Sequence, residues 1–426
     1  MGAHLAFVIG FGYLPRASLS SMVQAHGHLQ LLGWTGLFII AVSSHVLPRL
    51  TNAKPIAPTR LNFMLWSIVL GLLFRTLGLL LVAYGTREAF GRTLVGVSGY
   101  LEGLGIALYL FILAQTIKKH NPQFGAAAAA GIKPFMVTSL LGWLVFALGN
   151  ILVSTHFALG EALLIDPNWN SLVNEIFITL VLLPVCFAFS VNTFPIFLRL
   201  RAPYWPVARV TLLYSVSAVV RLTTLGFYTA GGNAFWLSVS LVAQLIQGLS
   251  ILWFIWELDI ARRKAPWFKK FRIEDERESR PPRKKAADYG QFGNFEWLLY
   301  GAYVCLAAAA LGDVIYAGFE LLRLGSPIGI DIIRHLYLLG FVTQLILGMA
   351  VRKIPGFLGR SYIVFPSLVN LSWVFIVLAV LCRVVPPVFW GRGEHVWLVR
   401  AWGTSGIWGL LAVVCLAVNL IATAKD

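Results

Sequence analysis

"HLQLLGWTGLFIIAVSSHVLPR" covers residues 28–49, and "HLYLLGFVTQLILGMAVRKIPG" covers 335–356. Set one above the other, they share the leading His-Leu, a Leu-Leu-Gly, the aromatic residue after it, an isoleucine and a late proline. A weaker third copy, "EIFITLVLLPVCFAFSVNTFPI" at 175–196, aligns through Pro48, Pro195 and Pro355 and carries Glu175 where the others carry His28 and His335. Arg75, Arg221 and Arg383 then fall into register, each on the helix that follows. Self-similarity on this scale indicates repeated supersecondary units. The expected organisation is three four-helix repeats, residues 1–120, 121–258 and 297–426, with a basic linker at 259–296 and pseudo-three-fold symmetry.

Composition supplies the environment. Of 426 residues, 58% are hydrophobic and only 12% are charged, and the mean hydropathy is +0.78, far from soluble norms. Apolar runs occur near 24–48, 62–84, 94–117, 135–158, 172–198, 207–230, 235–258, 297–322, 330–351, 364–385 and 399–422. Each is long enough to cross a hydrocarbon core of about 30 Å as a helix. A shorter stretch, "HLAFVIGFGYLPRASL", is the twelfth candidate and helix 1. The fold class is therefore an all-α polytopic membrane protein of about twelve transmembrane helices.

Basic residues set the orientation, because cytoplasmic loops carry the Lys/Arg excess. Arg49, Lys54 and Arg60 follow helix 2, and Arg352, Lys353 and Arg360 close helix 10. Both termini are expected in the cytoplasm, in a multi-pass inner-membrane protein. The net charge of +16 then serves the positive-inside bias and the lipid bilayer and calls for no nucleic acid. The stretch "RRKAPWFKKFRIEDERESRPPRKKAADYG" (262–290) reads as a charged cytoplasmic loop near anionic headgroups. Cys186, Cys305, Cys382 and Cys415 all lie in apolar runs without a C-x-x-C spacing, so neither a disulfide framework nor covalent haem attachment is expected. No phosphate-binding or dinucleotide fingerprint occurs.

Twelve helices in three units, with "HGHLQLLGW" on helix 2 and "HLYLLGFVTQLILGM" followed by Gly359-Arg360 on helix 10, resemble the catalytic subunit I of haem-copper oxidases. The chain resembles still more the NnrS family and short subunit I-like membrane proteins. The resemblance implies a non-covalent b-type haem with His26 or His28 and His335 as axial ligands, and one-electron transfer or a part in the nitric oxide response. An electron-donor protein or quinol, or nitric oxide itself, would be the partner. Two features depart from the oxidases. Helices 6 and 7 contain no histidine, so the copper site of the binuclear centre cannot be built, and Ile333 stands where a second helix-10 histidine would hold the oxygen-reducing haem. A redox protein without dioxygen reduction is the implication. The alternative is a haem-free twelve-helix transporter.

Residues two apart on a helix lie about 200° apart around its axis, so His26 and His28 face different pockets. In a three-fold arrangement His26 pairs more naturally with His335, while His28 with His335 is the simpler choice. Arg383 and Arg392 are the candidates for the haem propionates, because a guanidinium fork matches a carboxylate. Arg75 and Arg221 are expected instead to cap carbonyls or to pair across a repeat interface. His156 and His395, both on the outer side, are further candidates for copper or a second haem, and His45 is expected at the interface. Glu102, Glu175 and Asp313 are the acidic residues within helices, and they form no recognisable proton channel.

Overall fold

The computed structural model describes all residues except 14–15, 51–55, 119–125, 199–206, 259, 261–290 and 390–394. The charged stretch at 262–290 and Arg392 therefore lie outside the described residues. Among those described the chain is helical, with no strand. Among the described residues, eleven helices are long and apolar enough to span a bilayer: α2 (Leu19–Pro48), α3 (Pro58–Ala83), α4 (Glu88–Lys118), α5 (Lys133–Leu159), α6 (Pro167–Phe194), α7 (Val207–Gly231), α8 (Ala234–Glu257), α9 (Phe295–Leu321), α10 (Ile330–Phe357), α11 (Pro366–Phe389) and α12 (Val396–Lys425). The expected eleven runs and the eleven helices coincide, because a span is set by length and hydropathy alone. The twelfth candidate is shorter than a span. Helix α1, Gly2–Phe11, has ten residues, about 15 Å at 1.5 Å per residue, and ends at Gly12, whose φ of 75° forms a left-handed cap with its N–H on the Val8 carbonyl.

Outward-facing positions are apolar, as lipid requires. Leu152 and Val304, each 69% exposed, would face water in a soluble protein, but in a bilayer they face acyl chains at no cost. Helices α6 and α10 are the most enclosed, 83% and 72% buried over their apolar windows, against 28% and 22% for α11 and α12. The most repeat-like stretches of sequence are thus found on helices of unlike exposure, since the window of α2 is only 44% buried.

The helices gather into two compact units. The first comprises Leu14–Asn192 and Val207–Ala243, and the second comprises Met1–Tyr13, Thr193–Pro206 and Gln244–Asp426. Within the first, α3 and α4 lie side by side on glycines: a Cβ on Gly71 would come within 2.6 Å of Glu102 Cγ, and one on Gly78 within 2.5 Å of the Gly91 carbonyl. Small residues allow helix backbones to approach in a membrane, where lipid tails are as apolar as Leu. Within the second, α1 docks on α12 in the same manner, with Gly10 against Gly403 and Ala3 against Gly406.

Among the described residues, three helices contain π-helical segments, at Leu29–Gly36, Phe177–Leu182 and Leu336–Thr343. They begin directly after His28, two residues after Glu175 and directly after His335. A π turn displaces the ordinary i→i−4 bonds and is frequent at functional sites. Threonine hydroxyls take up carbonyls in all three: Thr35 donates to the Leu31 carbonyl, Thr179 to that of Glu175 and Thr343 to that of Leu338. In α6 neighbouring helices add Tyr214 Oη on the Thr179 carbonyl at 2.7 Å and Ser139 Oγ on that of Val181 at 3.0 Å. Helix α6 starts cleanly because Asp166 caps it, accepting from the N–H groups of Asn168 and Trp169, with Pro167 in the first turn.

Candidate functional site

The N-terminal end of α2 is tied to the segment before α6 by Gln24, whose amide donates to the Ile165 carbonyl at 2.6 Å and accepts from the Ile165 N–H at 3.2 Å. One turn further along, the His28 side chain is buried, and its Nε2 lies 2.9 Å from Glu102 Oε2 on α4. The same carboxylate oxygen accepts from Asn150 Nδ2 of α5 at 2.6 Å. Arg75 of α3 closes the cluster, donating from Nη1 to Asn150 Oδ1 at 2.7 Å and to Ser154 Oγ at 3.0 Å, and standing 3.7 Å from Glu102 Oε2. Five polar side chains from four helices thus meet with no exposed surface on Glu102, Asn150 or Ser154.

Charge within an apolar interior persists only with a counter-charge and hydrogen bonds. Arg75 and Glu102 balance each other, and His28, Asn150 and Ser154 supply polar contacts. Glu102 Oε1 and Arg75 Nε have no hydrogen-bond partner among the described residues. Facing a carboxylate opposite a guanidinium, His28 donates from Nε2, which leaves its lone pair on Nδ1. Phe146 covers one face of the imidazole, its ring nearly parallel at 6.4 Å.

Glu175 and Arg221, the corresponding positions on α6 and α7, form a buried ion pair of their own at 2.9 Å. In the second unit Asp313 of α9 accepts from Gln244 Nε2 and from Tyr337 Oη, both at 2.6 Å. Tyr337 lies two residues after His335 at the start of the π segment of α10.

His335 is held from below. Its Nδ1 lies 2.7 Å from the carbonyl oxygen of Asp331 and 3.3 Å from that residue's Oδ1, one turn earlier on the same helix. Both neighbours are acceptors, so Nδ1 carries the proton and Nε2 presents its lone pair. The side chain is 24% exposed, and Nε2 has no partner among the described residues. Asp331 Oδ2 stands 3.5 Å from Arg383 Nη2 of α11, and the guanidinium lies 4.1 Å over the ring of Trp402 of α12. Arg383 Nε is buried without a hydrogen-bond partner among the described residues.

These contacts bear on a haem in different ways. An axial imidazole characteristically donates its second N–H to a carbonyl or carboxylate, and His335 already has that arrangement with Nε2 open. Arg383, with a donor to spare, suits a propionate. His335 and Arg383 fit the group; His28, with Nε2 committed to Glu102, does not fit it in this arrangement. His26 is half-buried on α2 in the first unit, whereas His335 belongs to the second. His45 is half-buried, and His156 and His395 are exposed, the latter beside Trp397 at 6.3 Å. Among the described residues no three His, Cys, Asp or Glu side chains gather as a metal would require.

Sequence reasoning missed Glu102, Asn150 and Ser154 as neighbours of His28, and Asp331 as the neighbour of His335. A signal existed for each: Glu102 interrupts the apolar helix "GYLEGLG", and Asp331 precedes His335 by one helical turn. No family model matches the chain, and no curated protein matches it.

Proposed function

We propose that this is a haem-binding inner-membrane protein of three four-helix repeats, of the haem-copper oxidase and NnrS-like kind, acting in one-electron transfer or in the nitric oxide response. The observation that carries the proposal is the state of His335: Nδ1–H on the Asp331 carbonyl, Nε2 open, and Arg383 with an unpartnered donor beside Asp331. The π segments after His28, Glu175 and His335, with a threonine in each, support the three-fold repeat. His335 would hold a b-type haem and Arg383 would meet a propionate. When bound, the haem supplies a reversible one-electron couple. Of the two helix-2 histidines, His28 is committed to Glu102. A quinol or an electron-donor protein is the corresponding partner.

The test is the optical spectrum of the protein purified from its membrane with haem supplied during expression. A Soret band that His335→Ala abolishes or converts to a high-spin form is the expected result, with His45→Ala leaving the spectrum unchanged. A colourless protein would overturn the proposal.

A second reading, a haem-free transporter, is favoured by one observation, the buried Arg75–Glu102 and Arg221–Glu175 pairs. Ionisable residues inside spans commonly mark transport routes. The same spectrum separates the two.

A further inference from the structure

The arrangement around His335 contains a residue whose part goes beyond the ligand set. Asp331 sits in the first turn of α10, after Gly329, which begins the helix in an extended conformation. There its carboxylate faces the positive end of the helix dipole, which favours an anion at that position. Its backbone carbonyl would serve only the helix in an ordinary turn; here it also receives the imidazole at 2.7 Å. The carboxylate approaches the same Nδ1 with Oδ1 at 3.3 Å and reaches Arg383 with Oδ2 at 3.5 Å. One residue thus holds the ring through two acceptors and holds the guanidinium of another helix through a third contact.

We infer that Asp331 is a positioning residue that fixes the tautomer and orientation of His335 and couples them to Arg383. This rests on the haem reading only for its effect on the iron, because the tautomer exists whether or not haem is bound. The physical chain is short. An Nδ1–H shared between two acceptors cannot turn without losing both, so the ring keeps Nε2 pointing away from its own helix. A negative acceptor gives the imidazole more electron density, which stabilises the oxidised form of a bound metal and lowers its potential. Asp331 is 66% exposed at its side chain, so solvent screens the carboxylate while the carbonyl contact persists. Loss of the carboxylate therefore changes the strength of the hold more than its existence.

The experiment uses the full chain in two measurements. Nitrogen-15 histidine NMR of the detergent-solubilised protein, with the His335 signals assigned by their loss in His335→Gln, reads the tautomer without reference to haem. The expected result is a dominant Nδ1–H form in the wild type and a larger Nε2–H fraction in Asp331→Ala. A wild-type ring protonated on Nε2, or a tautomer ratio unchanged in Asp331→Ala, would overturn the inference while leaving haem binding intact.

Spectroelectrochemistry of the haem-loaded protein reads the second effect. Asp331→Asn is expected to keep the low-spin spectrum and shift the midpoint potential to more positive values, while Asp331→Glu stays closer to the wild type. An unmoved potential in Asp331→Asn would overturn the coupling to the iron. Absence of haem from the wild type would instead overturn the functional reading, and the NMR arm would still decide the role of Asp331.

Discussion

A carboxylate with no exposed surface in a bilayer-spanning helix must bring its counter-charge with it. Glu102 does so through Arg75, and His28 and Asn150 occupy the oxygen that Arg75 approaches. Removing one member of such a set leaves the opposite charge unmatched, which costs about 3–5 kcal/mol in buried ion pairs. Glu102→Ala is therefore expected to lower the thermal unfolding midpoint sharply in detergent, and Glu102→Gln to lower it less, since the amide still accepts from His28. Combined with Arg75→Gln, Glu102→Gln should cost less than the sum of the two single changes, by roughly 1–3 kcal/mol of coupling. Strict additivity in that cycle would mean that the two groups do not interact. The residues of this cluster were visible in the sequence one by one, as polar positions within apolar runs. Their meeting was not visible, because a pairing between α2, α3, α4 and α5 depends on the rotation of each helix about its axis, and helices this uniformly apolar show no polar stripe from which to read it.

At the scale of the element, helix boundaries were legible and helix interiors were not. Length and hydropathy fix a span, so α3 and α8 fall within a few residues of the runs from which they were read. The π segments leave no such mark: Leu29–Gly36 and Leu336–Thr343 are as apolar as the α-helical turns around them, and only a threonine in each hints at the carbonyls to be satisfied. The first helix is the opposite case. Its shortness was legible in Pro15 and Arg16, but its partner was not, because the contact with α12 lies almost the whole chain away. That contact is built on glycine. A Cβ on Gly403 would meet Gly10 Cα at 2.9 Å and the Ala6 carbonyl at 3.2 Å, both backbone atoms that cannot rotate aside. Gly403→Leu is accordingly expected to displace α1 and leave α12 helical. In a background with Cys382 and Cys415 changed to Ser, a Val8→Cys thiol, buried at 6% exposure, should resist maleimide with Gly403 present and react when Gly403→Leu is added. Equal protection in both would show that α1 is held by something other than this glycine contact.

For the whole molecule, the repeat and the charge bias make a joint claim about direction. Parallel repeats of four helices, as proposed, would bring equivalent helices through the membrane in the same sense, so that His28, Glu175 and His335 would all begin their helices on one side, and Pro48, Pro195 and Pro355 would end theirs on the other. The basic residues Arg352, Lys353 and Arg360 gather at the proline end of α10, and the excess of Lys and Arg belongs in the cytoplasm. On this reading the histidine ends are expected outside. Two exposed loop positions on either side of α10 test this directly: Leu324, 67% exposed between α9 and α10, and Ser361 between α10 and α11. Introduced one at a time in the same Ser-substituted background, where the remaining Cys186 and Cys305 are buried, Leu324→Cys should react with a membrane-impermeant maleimide in intact cells, and Ser361→Cys only after the membrane is opened. The reverse pattern would place His335, Asp331 and Arg383 on the cytoplasmic side. Any electron donor would then have to be cytoplasmic, and the positive-inside reading would have failed on this chain, even though the contacts within each unit would be unaffected.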